Sequence, residues 1–404
     1  MPKKLLSAML CVAMIALCAT PCAAVNWYQA DPYGYGEALV TETAADPSAL
    51  SLDCRAALLM EPQTGRVIYE KNSDERMPEA SITKVMTMLL VFEALDSGAI
   101  TMDDEVVCSD YAASMGGSQI WLEPGEVMTV HDLIKASMVA SANDASTVLA
   151  EYVGGSHEAF VAMMNARAAQ LGLDNTAYKN CTGLDAEGHV TSARDIAVVS
   201  AELMRHEQVF EFSTIWMDSL RGGTTQLVNT NKLVRYYSGI SGLKTGTTSQ
   251  AGCCVVATAE RDGMTLIAVV MGAPNSKTRF ACASSLLDFG FASWELLDLS
   301  DIAVSTSDVP VLCGMEKSVC THAEMSGCVL VPKGRGGDIA VSVDMAPDAA
   351  APVDLGQQVG AVTLTLDGQA LGSYCVLTDA PVEAISFRGV MRLLVGLLIG
   401  HSLC

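Results

Sequence analysis

The chain has 404 residues, half of them apolar, and a formal net charge of -22 at pH 7. This length and apolar content allow two or three globular domains with sizeable cores, and they exclude a disordered chain. Only 24 residues are basic, and because phosphate binding needs clustered Lys and Arg, we expect no nucleic-acid partner. Any anionic substrate must therefore bind in a local cationic pocket.

Residues 1–24 show the order of features that is typical of a secretory signal peptide. Lys3 and Lys4 precede an apolar stretch over residues 5–19, and the small residues 21–24 follow it. A buried N-terminal helix is the alternative interpretation. We expect an exported protein whose residues 25–51, which are polar and aperiodic, form a flexible lead-in to the folded part.

Three of the fourteen cysteines would leave with the signal peptide, and the odd number that remains leaves at least one thiol unpaired within a monomer. Export favours disulfides, but the spacings suggest no compact disulfide framework, so small buried thiols are an open alternative. The cluster of Cys313, Cys320, His322 and Cys328 lacks the C-x2-C spacing that is usual in zinc sites. We therefore expect neither a metal nor a cofactor.

The first predicted elements are a β-hairpin and a helix. Two short apolar runs, residues 56–60 and 67–70, are separated by a turn rich in Pro, Thr and Gly. A helix is predicted to start at Pro78 and Glu79, and helical periodicity continues to about His206.

Strand patterns return late in this part of the chain. They cover residues 243–247, 253–259 and 265–271, and Asp262-Gly263 forms the predicted turn between the last two strands. Two early and three late strands around a helical middle predict an α+β fold. Its single five-stranded antiparallel sheet would be flanked by helices, with a helical lobe inserted.

After residue 299 the sequence turns to short strand-like runs broken by Gly and Pro, which predicts a small all-β domain over residues 300–381. In the tail, residues 382–404, Arg388 and Arg392 lie one helical turn apart among apolar residues. The uncharged run within it, residues 393–400, is too short to span a bilayer alone. The tail suits an amphipathic helix at a membrane surface, with its arginines towards the head groups. A helix docked on the β domain is the alternative.

The first motif with chemical meaning is Ser81 and Lys84, which are three residues apart where an apolar helix begins. Residues at this spacing share a helical face, so the hydroxyl and the amine would meet. A lysine can act as the base of a serine nucleophile if its pKa is lowered. An exposed polar helix face is the alternative for this motif taken alone.

Two further motifs follow. Ser141-Ala142-Asn143 falls between two helical patterns, where it would present short polar side chains to a cleft or would cap a helix. Lys244-Thr245-Gly246 lies inside a predicted strand, and a glycine there indicates close approach of another backbone. A peptide could pair with this strand while Lys244 and Thr245 bind its carboxylate.

These three motifs, in this order and in these settings, resemble the S-x-x-K, S-x-N and K-T-G motifs of the penicillin-binding and serine β-lactamase superfamily. The segments 56–87, 180–197 and 242–280 resemble the D-alanyl-D-alanine carboxypeptidases within it. The similarity extends over roughly residues 52–299 and more faintly over the β domain and the tail. The resemblance implies a β-lactamase/transpeptidase-like catalytic domain over residues 52–299.

The resemblance also implies a reaction. Ser81 attacks the carbonyl between the two terminal D-alanines of a peptidoglycan stem peptide, and neutral Lys84 takes its proton. Ser141 passes a proton to the leaving amine, and Asn143 holds Lys84 or the substrate amide. Water then hydrolyses the acyl-enzyme, whereas penicillin should trap Ser81 covalently.

Further roles follow for the third motif. The backbone amides of Ser81 and Thr247 would form the oxyanion hole. Lys244 would lower the pKa of Lys84 by like charge and, with Thr245 and Gly246 on the same strand, receive the substrate carboxylate. Arg279 would lie near that carboxylate, with a surface charge as its alternative. The implied location is the outer face of the bacterial cytoplasmic membrane or the cell wall.

Two rival functions remain at this point. A class A β-lactamase shares the three motifs but also needs a glutamate in an E-x-x-x-N setting, and only Glu187 in "DAEGHV" stands in the relevant region. A catalytically idle scaffold that binds cell-wall peptides is the other rival, although all the motif residues are present.

Overall fold

The computed structural model describes residues 50–399. The predicted signal peptide, nearly all of the predicted lead-in and residues 400–404 lie outside this range. Within it the chain divides into two compact units between Leu296 and Leu297.

The first unit contains strands and helices in a mixed order. Its strands are β1 Ala56–Glu61, β2 Arg66–Lys71, β3 Glu105–Val107, β4 Val127–Thr129, β5 Met217–Leu220, β6 Thr225–Val228, β7 Ile240–Thr248, β8 Gly252–Arg261 and β9 Met264–Ala273, followed at the boundary by β10 Trp294–Asp298. Its α-helices are α1 Lys84–Asp96, α2 Asp110–Ala113, α3 Val130–Val139, α4 Asn143–Gly154, α5 His157–Gln170, α6 Ala193–Met204, α7 Val209–Ser213, α8 Leu233–Tyr236 and α9 Ser276–Ser293.

The main sheet of this unit has five antiparallel strands in the order β2-β1-β9-β8-β7. The early hairpin and the three late strands thus pair as predicted, and the α+β fold is confirmed. Asp262 and Gly263 both have positive φ between β8 and β9, as a tight Asp-Gly hairpin turn requires. Strand β7 lies at one edge of the sheet, and one side of its backbone is therefore free of strand partners within this sheet.

Helix α1 is buried along its first nine residues, Lys84 to Phe92. Its sequence is apolar on almost all faces, and such a helix is stable only inside a core. The charged side chain at its start is therefore carried into the interior along with the apolar ones.

The helix starts later than the sequence predicted. We expected helix from Pro78 and Glu79, but a 3₁₀ turn occupies Ala80–Thr83 and α1 begins at Lys84. Ala80 has a φ of +51°, which is left-handed backbone that a continuous right-handed helix cannot contain. Ser81 consequently lies on a tight turn and not within an α-helix.

Two small hairpins in the helical middle were not predicted. Strand β3 pairs with β4, and β5 pairs with β6. Strands of three or four residues are too short to show a period-two pattern, and for this reason they were not predicted.

The second unit is built from short strands: β11 Val309–Leu312, β12 Ser318–Val319, β13 Thr321–Glu324, β14 Cys328–Pro332, β15 Ala340–Met345, β16 Ala349–Ala350, β17 Gln358–Leu366 and β18 Gln369–Thr378. They include a three-stranded sheet, β12-β11-β16, and a four-stranded sheet, β13-β18-β17-β15. Val362, Leu364 and Val376 are fully buried in its core. The predicted all-β character is confirmed.

The described part of the tail forms helix α10, Phe387–Ile399. Phe387, Met391, Leu394 and Val395 are exposed on it, so these side chains are not covered as a docked helix would require. No helix among residues 50–399 has the length and apolar character needed to cross a bilayer.

Six cysteines of the first unit are free thiols in the interior: Cys54, Cys108, Cys181, Cys253, Cys254 and Cys282. They pack as small apolar side chains, which was the alternative to a disulfide framework. In the second unit Cys375 is disulfide-bonded, so both interpretations hold for some of the cysteines. Cys11, Cys18, Cys22 and Cys404 lie outside the described residues.

Candidate active site

Ser81 and Lys84 face each other where the 3₁₀ turn meets α1. Lys84 Nζ lies 3.2 Å from Ser81 Oγ, as the three-residue spacing predicted. Lys84 is fully buried, so the amine approaches the hydroxyl away from bulk water. An exposed polar helix face is thereby excluded for this pair.

The other partners of Lys84 indicate how it can act as a base. Its Nζ donates to Asn143 Oδ1 at 2.6 Å and to the carbonyl oxygen of Thr182 at 2.7 Å, and both of these groups can only accept. A neutral amine has two N–H bonds and one lone pair. When both N–H groups are engaged in this way, the lone pair remains for the hydroxyl hydrogen of Ser81.

Burial supplies the neutral amine. It lowers the pKa of Lys84 from 10.5 to about 7, because the interior disfavours the charged form. We expected the like charge of Lys244 to lower this pKa, but burial is the main cause. The like-charge effect is seen on Lys244 instead, whose pKa falls well below its usual range through burial and then through Lys84 and Arg279.

Ser141 connects the second motif to the third. It lies between α3 and α4 with a φ of +61°, and its Oγ accepts a hydrogen bond from Lys244 Nζ at 2.8 Å. Asn143 begins α4 and reaches Lys84, as described above. Its amide nitrogen also donates to the carbonyl oxygen of Gly116 at 2.6 Å, which fixes the orientation of the side chain.

Gly246 marks the close approach of two backbones. A Cβ added there would lie 2.8 Å from the backbone nitrogen of Ser81 and 2.9 Å from that of Ile82. The sequence predicted such an approach and assigned it to a substrate peptide, but the backbone that approaches is the turn that carries Ser81. Thr247 follows Gly246 on strand β7. The backbone amides of Thr247 and Ser81 therefore belong to two segments that lie against each other.

Arg279 lies behind β7 on helix α9. It is only 6% exposed, which excludes a surface charge. Its Nη1 donates to the carbonyl oxygen of Gly246 and to Thr247 Oγ1, both at 2.9 Å, and to the carbonyl oxygen of Cys254 at 3.2 Å. Thr245 points to a different neighbour and donates to Thr230 Oγ1 at 2.8 Å.

Three buried basic side chains therefore lie around one place: Lys84, Lys244 and Arg279, and burial lowers the pKa of all three. Among the described residues, their hydrogen-bond partners are all neutral groups. Buried charge without a counter-charge is costly. The arrangement therefore favours a ligand that brings an anionic group, in a chain whose net charge is strongly negative.

Sequence reasoning missed Thr182, whose carbonyl oxygen binds Lys84. A backbone carbonyl has no side-chain signature, so no motif could have shown it. The glycine at position 183 was the one signal in the sequence, since a glycine can indicate close approach of two backbones. A Cβ there would lie 1.9 Å from the carbonyl oxygen of Ala80. This glycine allows the loop after α5 to pass directly over the turn of Ser81.

The chain is similar to known proteins along most of its length. Residues 41–275 match the family described as D-alanyl-D-alanine carboxypeptidase, and residues 300–384 match the C-terminal domain of penicillin-binding protein 5. The D-alanyl-D-alanine carboxypeptidase DacF of Bacillus subtilis (strain 168) is 43% identical over 341 residues, which are 83% of this chain and 86% of that protein.

Solved structures give the same result. Penicillin-binding protein 5 from Haemophilus influenzae is similar with a TM-score of 0.75 and 31% identity, over 83% of this chain and 98% of that chain. Penicillin-binding protein D2 from Listeria monocytogenes, in an ampicillin-bound form, is similar with a TM-score of 0.53 and 32% identity, over 60% of this chain and 99% of that chain.

Proposed function

The chain belongs to the D-alanyl-D-alanine carboxypeptidase family of serine peptidases, and we propose that it removes the terminal D-alanine from peptidoglycan stem peptides through an acyl-enzyme on Ser81. The observation that carries the proposal is the contact between Ser81 Oγ and Lys84 Nζ, at 3.2 Å in a buried site. A serine needs a neighbouring base to act as a nucleophile, and Lys84 is the base that this geometry supplies.

In the first step, Lys84 accepts the hydroxyl proton while Ser81 Oγ attacks the carbonyl carbon between the two D-alanines. The bonds of Lys84 to Asn143 and Thr182 keep its lone pair directed at the hydroxyl. The amides of Ser81 and Thr247 stabilise the oxyanion, because preorganised donors are worth most in a site with little water. The C–N bond then breaks.

The leaving amine of D-alanine needs a proton. Ser141 can deliver it, because Ser141 Oγ is held by Lys244 Nζ at 2.8 Å. Its hydroxyl proton goes to the amine, and the proton that Lys84 took from Ser81 replaces it, so Lys84 is neutral again. Water then attacks the ester on Ser81, with Lys84 again as the base, and the shortened peptide leaves. No metal or cofactor is needed for either half of the reaction.

The terminal carboxylate of the substrate gives specificity. It would be received beside Lys244 and Thr245 on the open edge of β7, with Arg279 contributing positive charge from behind the strand. This carboxylate would lie near the guanidinium of Arg279 and would favour the protonated form of Lys244, and a carboxylate paired with a cation gains charge-assisted hydrogen bonds. A peptide whose terminal carboxylate is blocked should therefore be a poor substrate.

β-Lactam antibiotics should act as covalent inhibitors at the same serine. Their carboxylate and strained amide imitate the terminal dipeptide, and the ampicillin-bound relative from Listeria monocytogenes shares the fold. No observation favours the β-lactamase alternative, since Glu187 is exposed on a turn and is not part of the site.

The location that fits this function is the outer face of the cytoplasmic membrane. Residues 1–24 would direct export, residues 25–51 would form a lead-in, and residues 52–299 would form the catalytic domain. Residues 300–381 would form the β-rich domain, and residues 382–404 would hold the protein at the membrane surface. The exposed apolar side chains of α10, with Arg388 and Arg392 on the same helix, support an interfacial anchor.

The test is release of D-alanine from a diacetylated Lys-D-Ala-D-Ala peptide. The wild-type protein should release D-alanine, and Ser81→Ala should release none above the uncatalysed rate. Ser114→Ala, a substitution on the surface of the same unit, is the matched control and should retain full activity. Equal release by wild-type protein and Ser81→Ala would overturn the assignment.

A further inference from the structure

The peptide bond between Ala80 and Ser81 has a special position in the site. A peptide unit is planar and trans, so its C=O and N–H point in opposite directions. The carbonyl oxygen of Ala80 and the amide of Ser81 belong to one such unit. Whatever holds the Ala80 oxygen therefore also sets the direction of the Ser81 N–H.

The Ala80 oxygen is held by Thr83. Thr83 Oγ1 donates to it at 2.8 Å, and Thr83 is fully buried. Ala80 needs such support because it has a φ of +51°, a conformation that costs a non-glycine residue energy. Gly183 also lies close to the same oxygen, because a Cβ added there would be 1.9 Å from it.

Thr83 is held in turn by His189. The ring nitrogen Nε2 lies 2.8 Å from Thr83 Oγ1, and the other ring nitrogen, Nδ1, accepts the backbone N–H of Lys179 at 2.9 Å. Since Nδ1 is an acceptor, the proton of a neutral ring is on Nε2, and Nε2 donates to Thr83. His189 is buried, and burial lowers its pKa to about 4, so the neutral ring persists at neutral pH.

The shorter contacts run one way: from His189 Nε2–H to Thr83 Oγ1, and from the Thr83 hydroxyl to the Ala80 oxygen. The buried carboxyl of Glu79, whose pKa burial raises well above its usual range, also lies 3.3 Å from His189 Nε2 and interacts with Thr83. A hydroxyl that accepts a hydrogen bond is a stronger donor, and a carbonyl that accepts one polarises the N–H at the other end of its peptide unit. Both effects act on the amide of Ser81.

We propose that His189 is a positioning residue that acts through Thr83 and the Ala80 carbonyl to orient and polarise the Ser81 amide as an oxyanion donor. This inference rests on the proposed nucleophile, Ser81. It adds two residues, His189 and Thr83, that touch neither the substrate nor the reacting hydroxyl but affect how well the transition state is stabilised.

Two amide substitutions of His189 separate this role from a merely structural one. The side chain of Asn ends near the position of Nδ1, so His189→Asn can keep the bond with the Lys179 backbone but loses the donor to Thr83. The side chain of Gln reaches the position of Nε2, so His189→Gln can keep that donor but loses the Lys179 bond. A second pair repeats the comparison at Thr83, since Thr83→Ser keeps the hydroxyl and Thr83→Val removes it.

The measurement is the rate constant of acylation by a fluorescent penicillin, taken at saturating inhibitor and compared with the thermal midpoint of each variant. We expect His189→Asn and Thr83→Val to acylate about tenfold or more slowly than wild type, the size expected for loss of one buried hydrogen bond. The acylation rate constants of His189→Gln and Thr83→Ser should stay within about threefold of the wild-type value, even if the thermal midpoints of these variants are lower.

Wild-type rates in both His189→Asn and Thr83→Val would overturn the inference. So would a rate for His189→Gln as low as that of His189→Asn, because retention of the Thr83 donor would then bring no benefit. If either His189 variant does not fold, the two Thr83 variants decide the question. Mass mapping of the wild-type adduct comes first, since an adduct away from Ser81 would refute the proposed function itself and not this chain of hydrogen bonds alone.

Discussion

Lys84 Nζ lies 3.2 Å from Ser81 Oγ, while its two shorter hydrogen bonds go to groups that can only accept. This asymmetry gives the amine a defined direction, because two N–H groups are used and the lone pair is left for the serine. Burial provides the neutral form that such a base needs. Geometry and electrostatics therefore both support the proposed role of Lys84 as the base.

Gly246→Ala should disable the site by moving two backbones apart. The new Cβ would lie 2.8 Å from the nitrogen of Ser81, a contact that only backbone movement can relieve. Small shifts in a catalytic site cost about a hundredfold in rate, and overpacking costs roughly 1–3 kcal/mol of stability. We expect at least a hundredfold slower acylation by penicillin, measured together with chemical denaturation.

Gly337→Ala is the matched control for Gly246→Ala. A Cβ at Gly337 meets no atom within 4 Å, so this variant should acylate at the wild-type rate. A Gly246→Ala protein with wild-type acylation would show that β7 and the turn of Ser81 are not held together as described.

Arg279→Gln should weaken recognition of the substrate carboxylate. The substitution removes the positive charge and the bonds to Gly246, Thr247 and Cys254, and charged hydrogen bonds are worth about 1.5–3 kcal/mol each. We expect kcat/KM for a peptide ending in D-Ala-D-Ala to fall roughly ten- to a hundredfold. For the same peptide with a terminal amide, which should already be a poor substrate, the substitution should lower kcat/KM much less.

The exposed Arg55, which pairs with Glu75, supplies a control for that comparison. Arg55→Gln should change kcat/KM for neither peptide. Equal losses for the acid and the amide in Arg279→Gln would mean that Arg279 only supports β7 and does not recognise the carboxylate.

The cysteines should differ strongly in reactivity. Burial raises the pKa of Cys181 and of Cys254 to about 11, so little thiolate is available and reagents have no access. Cys313 is exposed. Brief treatment of the folded protein with iodoacetamide at pH 8, followed by mass spectrometry, should modify Cys313 and leave Cys181 and Cys254 unmodified. Rapid modification of either buried thiol would contradict the packing described for the first unit.

Leu394→Asp should reduce binding to lipid vesicles. Leu394 is 49% exposed on α10, and transfer of such a side chain into the acyl region is worth roughly 1.5–3 kcal/mol when it is fully buried. When vesicles of phosphatidylcholine and phosphatidylglycerol are sedimented, at least tenfold less of the variant than of the wild-type protein should therefore be found with them. Val341→Asp changes an exposed valine of β15 and should bind as wild type does. Similar sedimentation of Leu394→Asp and wild-type protein would remove the anchor proposal.

The strands of the sheet were predicted from local patterns, whereas the meeting of the three motifs was implied by the resemblance to a known family. Continuous apolar runs and an Asp-Gly turn define β8 and β9, and a three-residue spacing places Ser81 beside Lys84. The left-handed backbone of Ala80, and thus the late start of α1, depends on packing against Gly183, which is distant in sequence. No local pattern carries that information.

The motifs identified the side chains that lie together in the candidate site, but they did not identify the backbone groups that contact them. Asn143 and Lys244 were found as members of motifs, whereas the carbonyl oxygen of Thr182 has no residue-type signature. The cause of the low pKa of Lys84 also differed from expectation, because burial depends on how the whole of α1 is covered. Residues such as His189, which is linked to the Ser81 amide by two hydrogen bonds and one peptide unit, become visible only in three dimensions.

The most direct test of the central claim, that neutral Lys84 takes the proton of Ser81, is the pH dependence of penicillin acylation between pH 5 and 9. The pKa of Lys84 is lowered to about 7, so the neutral fraction grows as the pH rises through that value. We predict that the rate constant rises about tenfold per pH unit below 7 and levels off above it. A rate that is constant across this range, or that falls as the pH rises, would contradict a lysine base.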